Sequence, residues 1–87
     1  MRIVVKGKAA KQLCKIEKSN RALAIRIRNK IRRYAADPQG RHDVKPLRSG
    51  SVSTRRLRVG VYRVTLVAEE EVLYVLESRH RQGAYRG

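Results

Sequence analysis

The chain has 87 residues, 41% of them hydrophobic, which is room for one domain spanning residues 1–87. Lys and Arg number 22 against 7 Asp and Glu, and a net charge of +15 repels itself, so a polyanionic partner is expected: nucleic acid first, an acidic protein second, an anionic membrane surface third. No stretch is apolar for long enough to span a bilayer and Met1 to Lys6 is too short an apolar run for a signal peptide, while a single cysteine, Cys14, excludes an internal disulfide, so a reducing cytoplasm is expected.

The first element is a short β-branched strand at residues 2–5. From Lys8 to Lys18, Ala9, Ala10, Leu13 and Ile16 recur at helical spacing, and Cys14 beside them is expected to pack as a small hydrophobe. Ser19-Asn20 breaks that helix and offers an N-cap to the next. From Arg21 to Ala36, Leu23, Ala24, Ile27, Ile31, Tyr34 and Ala35 form an apolar stripe, with Arg21, Arg26, Arg28, Arg32 and Arg33 largely off it. Asp37-Pro38 ends the helix, because the residue before a proline is pushed out of the α region.

The second half changes period. Val44 to Leu47 reads as a short edge strand interrupted by Pro46. From Arg55, Arg56 and Arg58 alternate with Leu57 and Val59. Gly60 permits a tight turn. Val61 to Ala68 is almost continuously apolar, as in a central strand covered on both faces, with Tyr62 expected in the core. Glu69-Glu70-Glu71 is a charged turn, and Val72 to Leu76, with Tyr74 also expected in the core, is a further strand after which the chain turns polar. The order predicts an α+β domain: two N-terminal helices on one face of a small, mostly antiparallel sheet of four to five strands. Arg56 and Arg58 would point to the other face.

The late strands and the tail carry a basic constellation: Arg56, Arg58 and Arg63, then Arg79, His80, Arg81 and Tyr85. Such a patch suits metal-free cleavage of RNA. The 2′-hydroxyl must lose a proton, the phosphorane transition state carries extra negative charge, and the leaving 5′-oxygen must gain a proton. Fixed guanidinium groups stabilise the charge where it develops. His80 and Tyr85 are the candidates for proton transfer, since an imidazole titrates near neutral pH and a guanidinium does not. Structural readings stand beside these: Arg56 and Arg58 as a solvated strand face, Arg63 as an ion-pair partner of Glu77, His80 as a tail residue. His42 lies in a polar loop without an assigned role. Two His and one Cys at unrelated spacings make no zinc site, no glycine-rich loop cradles a nucleotide, and no cofactor is expected.

Four segments, taken in order, resemble the RelE/ParE toxin superfamily over nearly the whole chain. They are Ile31-Arg32-Arg33-Tyr34-Ala35-Ala36-Asp37-Pro38, Val44-Lys45-Pro46-Leu47-Arg48-Ser49-Gly50, Arg55 to Val64, and Arg79-His80-Arg81 with Tyr85. The resemblance implies a toxin of a type II toxin–antitoxin pair that cleaves mRNA, in the RelE branch within the ribosomal A site. Its partners would be mRNA, the ribosome and a cognate antitoxin offering an acidic or amphipathic segment, in a toxin–antitoxin hetero-oligomer away from membranes. By position, Arg56 and Arg58 match the family's basic pair and Arg63 the arginine on the scissile phosphate. Arg79 or Arg81 matches the late arginine, His80 a histidine used in some branches, and Tyr85 the C-terminal tyrosine. Lys45, Arg48, Arg55 and Arg86 are expected to add RNA contacts. The family's ParE branch implies a DNA gyrase inhibitor instead, and the charge alone fits a non-catalytic basic RNA- or ribosome-binding protein.

Overall fold

The computed structural model describes residues 1–46 and 54–80. Along the chain run β1 (Arg2–Val5), α1 (Gly7–Ser19), α2 (Arg21–Ala36), β2 (Val44–Pro46), β3 (Thr54–Val59), β4 (Tyr62–Glu69) and β5 (Val72–His80). Asn20 makes the joint between the helices by two separate bonds. Its backbone N–H donates to the Ile16 carbonyl at 2.6 Å, closing α1. Its side-chain Oδ1 accepts from the Leu23 N–H at 3.1 Å, satisfying one of the open donors at the start of α2. At the other end of α2 the Asp37 N–H donates to the Arg33 carbonyl at 3.1 Å before Pro38 stops the helix.

The apolar stripes of both helices meet one sheet. Ala9, Leu13 and Ile16 of α1 and Ala24, Ile27, Ile31, Tyr34 and Ala35 of α2 are buried. They pack over Leu57, Val59, Val64, Leu66, Leu73 and Val75, all nearly or wholly shielded from solvent. The sheet has five strands in the order β1-β5-β4-β3-β2. β1 runs parallel to β5 and every other neighbouring pair is antiparallel. This is the α+β architecture expected from the order of elements, with five strands in the sheet among the described residues. Gly60 turns β3 into β4 at φ +58°, and Glu70 turns β4 into β5 at φ +54°.

Four local readings change. β5 continues four residues beyond Leu76 to His80, because the polar stretch finds partners on β4: Thr65 opposite Glu77, Val64 opposite Ser78, Arg63 opposite Arg79, Tyr62 opposite His80. A bulge where Leu66 meets Val75 and Thr65 meets Glu77 takes up the extra residue, Leu76. β4 is covered by helices on one side only, and Arg63, Thr65 and Val67 on the other side are half-buried. Tyr74 likewise lies on that open side, with Lys6 Nζ 5.2 Å from its ring centroid, and Tyr62 is a half-buried residue at the core's edge. Cys14 is exposed, one position off the buried stripe, and not packed.

The packing separates two isoleucines of α2. Ile27 is fully buried and Ile25 is 49% exposed. Ile27→Ala should cost about 2–5 kcal/mol in chemical denaturation, whereas Ile25→Ala should stay within about 0.5 kcal/mol of wild type.

Candidate nucleic-acid interface

Period-two alternation along β3, β4 and β5 sorts the side chains into rows. Leu57 faces Val64, and Val64 faces Ser78, on the helix side. One residue along, Arg58 faces Arg63, and Arg63 faces Arg79, on the open side. A second open-side row runs Lys45, Arg56, Thr65, Glu77. Side chains directly opposite on antiparallel strands have Cβ atoms about 5 Å apart, and like charges so placed repel, at roughly 0.2–1 kcal/mol per pair. A fold that sets three arginines in line across three strands therefore carries a concentration of positive charge that an anion would relieve.

The Glu77 carboxylate touches the cluster. Glu77 Oε1 lies 3.0 Å from Arg79 Nε and 3.7 Å from Lys8 Nζ at the start of α1. The Arg79 contact is an ion pair without the alignment of a hydrogen bond. Glu77 and Arg79 are two apart on a strand and so share a face, which is the signal by which the pair can be found from the residues alone. Glu77 thus engages Arg79 and Lys8, where the chain by itself suggested Arg63. Asp43 meets β3 through its backbone. Its carbonyl accepts from the Arg58 N–H at 2.9 Å, and with Lys45, Arg56, Arg58 and Arg63 it lines an open recess of about 210 Å³. Three arginines, Arg56, Arg58 and Arg63, line the recess, and arginine is the side chain that holds an oxyanion through paired N–H donors.

The expected site residues divide. Lys45, Arg56, Arg58, Arg63 and Arg79 come together on the open side. His80 does not join them: it pairs with Tyr62 in the next row, on the helix side, with ring centroids 5.3 Å apart in an edge-to-face contact. Arg55 is also on the helix side, opposite Leu66 and Pro46, where it lines a recess with Tyr34 and His42 near the end of α2. Arg48, Arg81, Tyr85 and Arg86 lie outside the described residues. His42 has a structural place: its Nε2 sits 2.6 Å from the Asp37 carbonyl and its ring meets Tyr34 edge-on at 5.2 Å. Among the described residues no group of three His, Cys, Asp or Glu could hold a metal ion. No helix of the described chain is long and apolar enough to cross a membrane.

This combination, two helices on one side of a five-stranded sheet and an arginine row on the other, defines a small basic α+β protein. No family model matches the chain and no curated protein matches it. Solved structures do. A RelB–RelE antitoxin–toxin complex from Methanococcus jannaschii is similar with a TM-score of 0.78 and 18% identity, over 95% of this chain and 95% of that one. An archaeal RelE–RelB complex from Pyrococcus horikoshii is similar with a TM-score of 0.65 and 25% identity, over 92% of this chain and 93% of that one. A YoeB/ParE toxin from Agrobacterium tumefaciens has a TM-score of 0.78 and 15% identity, over 92% of this chain and 98% of that one. The fold of this chain is that of the RelE/ParE toxins of toxin–antitoxin systems.

The separation of faces predicts a separation of effects on RNA binding. For a single-stranded RNA, the slope of log affinity against log salt should fall by about 0.7 for Arg56→Ala and for Arg58→Ala. Arg55→Ala, on the helix side, should leave the slope unchanged. Fluorescence anisotropy between low and moderate salt measures all three.

Proposed function

We propose that residues 1–87 form the toxin of a type II toxin–antitoxin pair, a metal-independent endoribonuclease that cleaves mRNA in the ribosomal A site and so stops translation. The observation that carries this is the single row Arg58, Arg63, Arg79 across β3, β4 and β5, flanked by Arg56 and Lys45. In the reaction the 2′-oxygen attacks phosphorus, the bond from phosphorus to the 5′-oxygen breaks, and a 2′,3′-cyclic phosphate and a 5′-hydroxyl result. Arg63, at the centre of the row, contacts the scissile phosphate, and Arg58 and Arg79 on either side share the charge that grows in the phosphorane. His80 and Tyr85 are the proposed proton-transfer groups, one taking the proton of the 2′-hydroxyl and one supplying the 5′-oxygen. Arg48, Arg81 and Arg86 extend the contact to neighbouring phosphates. The solved relatives that are complexes carry an antitoxin, RelB in both archaeal cases. An acidic or amphipathic antitoxin segment lying over the row would relieve its repulsion and block RNA at once. A translation target places the protein in the cytoplasm.

A second reading has one observation in its favour. His80 faces the helix side, so among the described residues the open face itself holds arginine, lysine and carboxylate but no imidazole. A basic protein that binds RNA, the ribosome or gyrase without cutting would have that face too. Primer extension on mRNA translated in cell extract decides between them. The expected result is discrete cuts with wild-type protein, present only during translation, and a loss of about 10²–10³-fold in cutting rate for Arg63→Ala. An intact message with folded wild-type protein would rule out the nuclease and direct the next assay to gyrase supercoiling.

A further inference from the structure

The helical layer carries a second body of positive charge, on the side of the domain away from the arginine row. α1 holds Lys8, Lys11, Lys15 and Lys18, and α2 holds six more basic residues between Arg21 and Arg33. Glu17 is the one acidic residue of either helix, and it pairs with Arg28 at 3.4 Å. The four lysines are exposed and follow one another at intervals of three, four and three residues. They therefore form a single line along α1, on the face opposite the buried Ala9, Leu13 and Ile16. On α2, the exposed Arg26, Asn29 and Arg33 form a second line on the outer face.

A helix face that serves only to meet water ordinarily mixes both signs, with carboxylates in the first turn and opposite charges one turn apart. Neither helix has an acidic residue in its first turn. Lys11 and Lys15, Arg26 and Lys30, and Arg28 and Arg32 instead set like charges four residues apart, an arrangement that weakens a helix. Charge placed against the stability of its own helices points to a partner that relieves it.

We propose that the outer face of α1 and α2 binds the phosphate backbone of double-helical RNA. The inference goes beyond the cleavage reading above and concerns a different face of the protein. Four features select this partner. The line from Lys8 to Lys18 is about 15 Å long, a length over which one strand of a duplex presents about four phosphates. Lysine offers a mobile point charge, suited to phosphate contacts that do not depend on base sequence. Single strands are held by stacking on aromatic rings, and Tyr34, the one aromatic residue of the two helices, is buried. Asn29, between Arg26 and Arg33, offers an amide donor and acceptor to the 2′-hydroxyls that line the shallow groove of duplex RNA and that DNA lacks. The protein can then hold two RNA segments at once, a strand on the arginine row and a duplex on the helices.

The test measures fluorescence anisotropy of a fully paired RNA, a single-stranded RNA of the same length and a DNA duplex of the same sequence, each with the whole protein. The triple variant Lys11→Gln, Lys15→Gln, Lys18→Gln keeps side chains that favour a helix as lysine does. It should bind duplex RNA about tenfold to hundredfold more weakly at low salt, with the slope of log affinity against log salt lower by about 2–3. It should bind single-stranded RNA as the wild type does. The wild type should prefer the RNA duplex to the DNA duplex by about threefold or more, and Asn29→Ala should remove that preference. Wild-type affinity for duplex RNA in a triple variant of native circular dichroism would overturn the proposal. Complete displacement of the duplex by the single strand would overturn it too, by placing both on the arginine row, as would equal affinity of the wild type for the two duplexes. If the triple variant lost binding of polyglutamate but not of duplex RNA, the face would belong to an acidic protein. The nuclease reading is decided separately by its primer-extension cuts, and its failure would leave each of these binding results in force.

Discussion

Everything in this protein depends on the register of three strands. The pairing of β3 with β4 and of β4 with β5 puts Leu57, Val64 and Ser78 in one row, Arg58, Arg63 and Arg79 in the next, and Val59, Tyr62 and His80 in the one after. Side chains alternate across a sheet with a period of two, so a slip of one residue would drive three arginines into the core and lift Leu57 and Val64 into solvent. The energetic argument is one-sided. Burying unpaired guanidinium groups costs several kcal/mol each, and the apolar positions are worth about 1.5–3 kcal/mol apiece when buried. The same preference that assembles the core therefore assembles the arginine row, with no separate device needed.

The row works against the rest of the fold electrostatically. A chain of +15 that aligns cations across adjacent strands stores repulsion which a small core must outweigh. Local carboxylates moderate it in part. Glu77 holds Arg79 and reaches Lys8 on α1, and Glu17 of α1 pairs with Arg28 of α2 at 3.4 Å on the surface. These leave most of the charge uncompensated, since 22 basic side chains face 7 acidic ones. Binding a polyanion would relieve that charge, and linkage then makes any such partner a stabiliser of the folded state.

The open edge of β5 shows how the helices do more than cover the sheet. β1 is only four residues long and stops before β5 does. Among the described residues the end of β5 beyond β1 is met by a side chain, Gln12, and by no strand. A backbone donor is thereby satisfied while the space beside it stays open.

Much of this was legible before any coordinates. The helical stripes, the Asn20 joint, the stop at Asp37-Pro38, the turns at Gly60 and Glu70 and the α+β class follow from spacing and turn chemistry, which are local properties of the chain. The common face of Arg56 and Arg58 follows from period two alone. The exposed Cys14 was misread through its chain neighbour Leu13: one residue turns a helix by about 100°, which carries Cys14 well away from the buried stripe. The rest depended on pairing between distant segments. Polar residues 77–80 have no strand signature of their own and become strand only because Tyr62 to Thr65 stand opposite them. Which arginines share a row, and that His80 falls on the other side of the sheet, is set by register and by a bulge at Leu76, and a chain carries no local mark of either. By itself, then, the sequence determined the charge and most of the elements, because those rest on composition and on neighbours along the chain. Only the tertiary structure decided which side chains meet, because that depends on neighbours across the sheet.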